Sequence, residues 1–440
     1  MYPRLSKAVS DYDPSGFMSV GYSKLLNKLK NEGHNIINFQ IGCTVKPKGY
    51  ETPSIVRDEL AKATQQKKFC YPGYQKELPY PGAHKASHGI EEEFKQAVIR
   101  REKIVHGVNY DLSNVFSCNG ASGAISLFYF AVANPKDEWL CCEPIYANYW
   151  SLHSYPPFKF KWVGWKQDEE DGWTPDLDEL RSKINDKTKV ILLVNPCNPT
   201  GAVFSDKMLK GIVDIAGEYE LLIQVDEVMD LLPLDGSIST SIAQVAGDVP
   251  SIVVNSVSKS WLSPGLRVGW LCIHDPEDKI LEIRNGMKKL DRVMGPYPIP
   301  TPILVAITNV LNKTTDFQEH LKPHMKLVRD RADYAYQRID EIDALSIIPV
   351  KAGPWGFAKY EGYGTVWKDD QEMKFGLLKY RKNGRDRGVT VTAGSTWGPT
   401  YGFGHFRIPV YESEDVLEEG FDRLDEFFSE RLNSRDNKKL

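Results

Sequence analysis

Between about residues 112 and 275 the chain alternates short apolar runs rich in β-branched residues with segments of helical period, the pattern of an α/β unit with a mostly parallel sheet. The spacing predicts seven strands, at Asn114–Cys118, Glu138–Cys142, Phe160–Val163, Val190–Val194, Leu221–Val225, Ile252–Val254 and Arg267–Ile273. ILLV is a continuous hydrophobic run and LLIQV is one but for Gln224, as expected where helices cover both faces of a sheet. In DKMLKGIVDIAGEYE, Leu209, Ile212, Val213 and Ala216 share one helical face suited to packing on that sheet.

After Lys288 the texture changes. A Pro-rich passage, MGPYPIPTPILVAI, gives way to a charged helix pattern around Glu319–Arg338, then to strand-like runs at Leu345–Pro349, Gly388–Thr392 and Phe406–Val410. A final amphipathic helix is built on Val416, Leu417, Phe421, Leu424, Phe427 and Phe428. A chain of 440 residues exceeds what one core holds, so two domains are expected. The large α/β domain, with a mostly parallel seven-stranded sheet between helices, is placed at residues 51–300. A smaller α+β domain is placed at 301–440, partly joined by an N-terminal segment, residues 1–50.

The net charge of −4 leaves no electrostatic footprint for nucleic acid, and the Lys-rich end NKKL reads as a solvated tail. Met1 to Ser10 lacks the apolar segment of a signal peptide, and no stretch reaches the ~20 apolar residues that span a bilayer. A cytoplasmic protein with a small-molecule partner, and neither nucleic acid nor membrane, is expected. The seven cysteines, Cys43, Cys70, Cys118, Cys141, Cys142, Cys197 and Cys272, form no CxxC pair and read as reduced core residues. His84 and His88 are four apart, as are His320 and His324, but neither pair has an evident third ligand and Pro323 interrupts the second, so no metal site is expected.

Parallel sheets place ligands at the carboxyl ends of their strands, which directs attention to the polar residues just past each run. NPCNPTG, with Asn195 and Asn198, follows one strand, and Asp226 of DEVMD is the first polar residue after another. Each has an ordinary explanation, as a Pro/Asn turn and as a structural ion pair or cap. NGASGA leads into the helical run ISLFYFAVA and offers backbone N–H groups and the Ser122 hydroxyl to an anion, or simply opens a helix. It matches no GxxxxGK[ST], GxGxxG or GxSxG pattern. In SVSKSWLSPGLRVGW, Lys259 stands close to an apolar run with Ser256, Ser258 and Arg267 around it. A lysine there is either an ordinary surface residue or an amine held ready to attack a carbonyl.

Together these groups suit pyridoxal 5′-phosphate. Lys259 would bond the aldehyde, and Gly120, Ala121, Ser122, Ser256 and Arg267 would surround the phosphate. Asp226 would keep the pyridine nitrogen protonated, and Asn198 would donate to the phenolic oxygen.

The order NPCNPTG, DEV, SVSK with an arginine eight residues beyond the lysine, and FRI near the C-terminus resembles the fold type I pyridoxal-phosphate aminotransferases of the aspartate aminotransferase superfamily. The resemblance runs from about Ile37 to Phe428. It implies that Lys259 forms the Schiff base and shuttles the proton, while Asp226, Asn198, Ser256 and Arg267 hold the cofactor as above. It further implies that Tyr146 stacks on the cofactor ring, that Arg407 receives the substrate's α-carboxylate in a two-pronged contact, and that Gly42 lies against the substrate. An L-amino acid would give its amino group to a 2-oxo acid, in a homodimer with shared sites. The alternative is elimination, replacement, cyclisation or oxidation of an amino acid on the same scaffold. A third reading, a regulator that keeps the cofactor fold, lacks room for a basic DNA-binding module.

Two departures stand out. Met229 occupies the position where the family usually carries a tyrosine that bonds the phenolic oxygen, and a thioether cannot donate that bond. In KELPYPGAHKASHGIEEEF, His84 or Tyr80 stands near the position of a tyrosine that reaches the phosphate across the dimer. For the substrate side chain, Arg292 is a candidate second cation, and Tyr74, Tyr146, Trp150, Tyr297 and Trp397 are candidate pocket aromatics or ordinary packing.

Overall fold

A computed structural model describes residues 20–40, 50–65, 88–153, 158–294 and 299–436. The strands of the large sheet are β1 (Val115–Asn119), β2 (Glu138–Glu143), β3 (Lys161–Asp168), β4 (Thr174–Pro175), β5 (Thr188–Val194), β6 (Leu222–Asp226), β7 (Ser251–Ser256) and β8 (Val268–His274). They lie in the order β1-β8-β7-β6-β5-β2-β3-β4. The seven long strands are those expected from the sequence. The eighth, β4, is a two-residue antiparallel addition to the edge of β3.

β7, β6, β5, β2 and β3 pair in parallel, while β8 is antiparallel to both its neighbours, β7 and β1. Six long strands therefore end at one edge of the sheet, and β8 begins there. Side chains alternate between two buried clusters, Val190, Leu192 and Val194 in one and Ile191 and Leu193 in the other. Burial on both faces is why these strands show no polar alternation. The helix Asp206–Glu218 starts where Ser205 caps the Met208 N–H at 3.2 Å, and it buries Leu209, Ile212, Val213, Ile215 and Ala216. Each of its larger apolar side chains contributes about 1.5–3 kcal/mol by leaving water.

A second sheet is antiparallel throughout, with β9 (Leu345–Ile347), β10 (Trp355–Tyr360), β11 (Thr392–Ala393) and β12 (His405–Pro409) in the order β9-β10-β12-β11. Ile37–Asn38 pairs in parallel with Val389–Thr390, so a segment near the N-terminus packs beside this second sheet. The helices Lys322–Asp340 and Glu414–Asp436 flank it. Pro323 falls in the first turn of the former, where its missing N–H costs nothing. Strand β10 lacks a counterpart in the sequence reading. Among the described residues no helix is long and apolar enough to cross a membrane.

Candidate active site

A cavity of about 510 Å³ opens where the carboxyl edge of the large sheet meets the second sheet. Its lining includes nine residues singled out from the sequence: Ala121, Ser122, Tyr146, Asn198, Asp226, Ser256, Lys259, Arg267 and Arg407. Gly120 sits just behind it. Gly120 has φ +70°, and a Cβ there would lie 2.6 Å from Arg267 Nη2, so only glycine lets the guanidinium close over the start of the following helix.

That helix, Gly120–Val132, begins at the cavity, and Asn119 before it makes no side-chain cap. Its first-turn N–H groups therefore lack intrahelical partners and point positive charge at the cavity. Arg267 holds a left-handed φ of 55°, with its guanidinium on the Pro264 carbonyl at 3.1 Å and the Asn119 carbonyl at 3.5 Å. Such a conformation costs about 1 kcal/mol or more in a non-glycine residue. Ser256 ends β7 and caps the short helix Val257–Ser260, which presents Lys259. Two hydroxyls, a guanidinium and free helix N–H groups form a donor set that fits a phosphate.

Asp226 ends β6 with its carboxylate buried. It accepts from the Tyr149 hydroxyl at 3.1 Å and from the Val228 N–H at 3.1 Å. Burial pushes its carboxyl up to about 6, against the opposing pull of the Val228 N–H, the Tyr149 hydroxyl and the Lys259 ammonium. A buried carboxylate raised in this way gains from a cation placed beside it, which suits a pyridinium. The sequence reading missed Tyr149. Its signal was its place three residues beyond Tyr146 on the helix Ala147–His153, which turns its hydroxyl back toward the strand ends.

Across the cavity, Arg407 of β12 is buried, with Nη1 on Asn198 Oδ1 and Nη2 on the Gln40 carbonyl, both at 3.2 Å. Its Nε has no hydrogen-bond partner among the described residues. The guanidinium carbon lies 4.8 Å from the Trp355 ring centroid and 4.7 Å from that of Trp397. Burial lowers its pKa to about 10, which still leaves it cationic at neutral pH. The Lys259 ammonium lies 4.6 Å from the same Trp355 ring, so one indole spaces the amine from the guanidinium.

Trp397 lines the cavity as a candidate aromatic, whereas Trp150 stacks on His153 and packs against Trp162, away from it. Met229 lines the cavity beside Asp226. His320 stacks on Trp261 and His324 packs against Tyr50. Gly42, Tyr74, Tyr80, His84 and Tyr297 lie outside the described residues, as do the side chains of His88 and Arg292. Trp355, Thr392 and Gln40 also line the cavity and were not read from the sequence. Trp355 follows Gly353-Pro354 and opens the unrecognised strand β10, so no expected strand end marked it.

Residues 81–423 match the family model for aminotransferase class I and II. The chain is 28% identical over 372 residues to an alanine aminotransferase of Mycobacterium tuberculosis, covering 84% of this chain and 80% of that protein. It is 26% identical over 407 residues to the glutamate-pyruvate aminotransferase AlaA of Escherichia coli K12, covering 92% and 93%. A solved alanine aminotransferase from Pyrococcus furiosus superposes with a TM-score of 0.84 at 30% identity, over 97% of this chain and all of that one. With the strand-end donor set in place and the family model spanning most of the sequence, the chain belongs to the class I and II aminotransferases, pyridoxal-phosphate enzymes that move amino groups between amino acids and 2-oxo acids.

Proposed function

We propose that this cavity transfers the α-amino group of an L-amino acid to a 2-oxo acid with Lys259 as the cofactor-bearing and proton-moving residue. The observation that carries this reading is the placement of Lys259 and Arg407 about the Trp355 ring, an amine and a carboxylate receptor set side by side in one cavity. Pyridoxal phosphate, when bound, supplies the electron-withdrawing ring that makes an amino acid's Cα–H bond breakable. The chain's own residues do the rest. The helix N–H groups of Ala121 and Ser122, the Ser256 hydroxyl and Arg267 anchor the phosphate, and Asp226 holds the ring nitrogen in its protonated form. Asn198, whose oxygen is engaged by Arg407, has its amide nitrogen left to donate to the phenolic oxygen.

Arg407 would bind the α-carboxylate and so aim the Cα proton, while Lys259 would accept that proton and deliver it to the cofactor carbon on the other side of the amino nitrogen. Tyr146 stacks on the ring. Relatives named for alanine and for glutamate with pyruvate support these as substrates, and the apolar groups Leu26, Val228, Met229, Trp355 and Trp397 in the lining suit a small side chain. The reading includes a cytoplasmic homodimer whose sites are shared between copies.

An anaerobic absorbance scan of the protein with cofactor tests it, before and after adding alanine or glutamate, beside Lys259→Ala. The expected result is a visible band that bleaches with one of these donors in the native chain only, and turnover lower in the variant by about 10⁴-fold. A native chain that shows no band in excess cofactor would sink the assignment of Lys259.

A further inference from the structure

We propose that Glu143 is a positioning residue for the carboxylate-binding side of the cavity, tying the loop that carries Trp397 to the end of β2. It is the last residue of β2 and fully buried, it is not part of the cavity lining, and it makes neither of Arg407's hydrogen bonds. Its Oε1 accepts from the Trp162 indole N–H at 2.6 Å, which anchors it to the neighbouring strand β3. Its Oε2 accepts from the backbone N–H groups of Thr400 at 2.9 Å and Tyr401 at 2.8 Å. Two residues further along the chain, the Ile145 N–H donates to the Trp397 carbonyl at 2.8 Å. The loop is thus fastened to the large sheet on both sides of Gly398.

The surroundings are shaped for this carboxylate. Gly398 has φ +146°, and a Cβ there would sit 2.4 Å from Glu143 Cδ. A Cβ on Gly164 of β3 would lie 2.7 Å from Glu143 Oε1 and 2.5 Å from Thr400 Oγ1. Neither position has room for a side chain once the glutamate is in place. Lys183, a nearby cation, is committed to Glu179 at 2.7 Å and the Tyr401 hydroxyl at 3.2 Å, so among the described residues the carboxylate relies on three N–H donors and no direct ion pair. Burial accordingly raises its carboxyl to about 7.

The link to function runs through what the two tied segments carry. Three residues beyond Glu143, Tyr146 forms one wall of the cavity, and Trp397 on the tied loop forms another, with its ring 4.7 Å from the Arg407 guanidinium carbon. Together with the Ile145–Trp397 backbone bond, this side chain therefore sets the separation between the cofactor wall and the wall that holds Arg407's plane. Loosening it lets Trp397 and Arg407 lose alignment with the substrate carboxylate while the phosphate and ring-nitrogen contacts stay as they are.

The inference rests on the reading of Arg407 as the carboxylate receptor, and the test separates the two. In the holoenzyme, Glu143→Gln places an amide donor against an N–H donor. We expect KM for the amino acid and the 2-oxo acid to rise about tenfold, with kcat within about twofold and the visible cofactor band unchanged. Adding Trp162→Phe removes the opposed donor at Oε1, lets the amide oxygen face the loop, and is expected to restore KM. Gly398→Ala, which presses a methyl group into the carboxylate without changing a polar group, is expected to give the same split as Glu143→Gln.

Unchanged KM in Glu143→Gln beside raised KM in Arg407→Lys overturns this proposal alone. Unchanged KM in both overturns the reading of Arg407 and the proposal with it. Loss of the visible band in Glu143→Gln, or a raised KM that the double variant fails to recover, also overturns it.

Discussion

On the cofactor side of the cavity, Ala121, Ser122, Asp226, Ser256 and Lys259 all lie within three residues of a strand end of the large sheet, and Arg267 directly precedes another strand. On the carboxylate side, Arg407, Trp355 and Trp397 come from a second sheet and its loops, and they meet Asn198 and Gln40 from far away in sequence. The first side is positioned by the hydrogen-bond ladder of one sheet, whose register leaves each group little freedom. The second is positioned by contacts between sheets, and those contacts are individually replaceable. Cofactor retention and substrate alignment should therefore fail separately, and substitutions on the two sides should leave different signatures.

The largest effect that would show this is in Arg407→Ala. Removing a buried, charge-assisted partner of the substrate carboxylate is expected to lower kcat/KM by about 10³-fold while leaving the cofactor's visible band in place. Steady-state kinetics beside a spectrum of the same preparation decides it, and a variant that loses the band would break the separation of the two sides. A smaller effect probes the cofactor side. Below its pKa Asp226 is neutral and attracts no pyridinium, so cofactor affinity of the apoprotein is expected to fall as pH is lowered through about 6. The Tyr149 hydroxyl favours the ionised carboxylate, so Tyr149→Phe should move that fall upward by about 1 to 2 pH units, the worth of one hydrogen bond to a charged group. Cofactor titrations across pH 5 to 8 would read the shift, and an upward shift without any change in KM for the amino acid would sharpen the comparison.

The smallest effect concerns Met229, which lines the cavity without offering a hydrogen-bond donor. Met229→Tyr adds a donor near the ring's phenolic oxygen and stabilises its ionised form. A titration of the visible absorbance is expected to move toward lower pH by about one unit. An unchanged titration would mean that the side chain at this position does not reach the cofactor.

This division also sets how far the sequence could be read. The seven long strands of the large sheet were legible because burial on both faces writes several of them as nearly continuous apolar runs, and their ends then pointed to Asp226, Ser256 and Lys259. Trp355 was not legible, because β10 starts directly after a Gly-Pro turn and its importance lies in a contact with Arg407, which sits on β12 far along the chain. Tyr149 was hidden for a related reason, since an aromatic on a buried helix face looks the same whether it packs or donates a hydrogen bond. Glu143 lies just past the expected strand Glu138–Cys142 and was not singled out, because its partners come from Trp162 on the neighbouring strand and from the return of residues 398–401 beside the second sheet. The helix around Glu319–Arg338 was visible by period, though Pro323 marks its first turn and not an interruption.

The reversed direction of β8 has a consequence for how this enzyme can tolerate change in length. The chain leaves the sheet edge at Ser256 and must return to the same edge at Arg267, because Ser256 pairs across to Gly269. Lys259 belongs to the outgoing half of that excursion and Arg267 to the returning half. An inserted or deleted residue between them would leave the amine where it is and displace the guanidinium, or shift the register of β8 against both neighbours. A loop on the outer rim has no such pairing to keep, whereas the length of this one is fixed by the strands it joins.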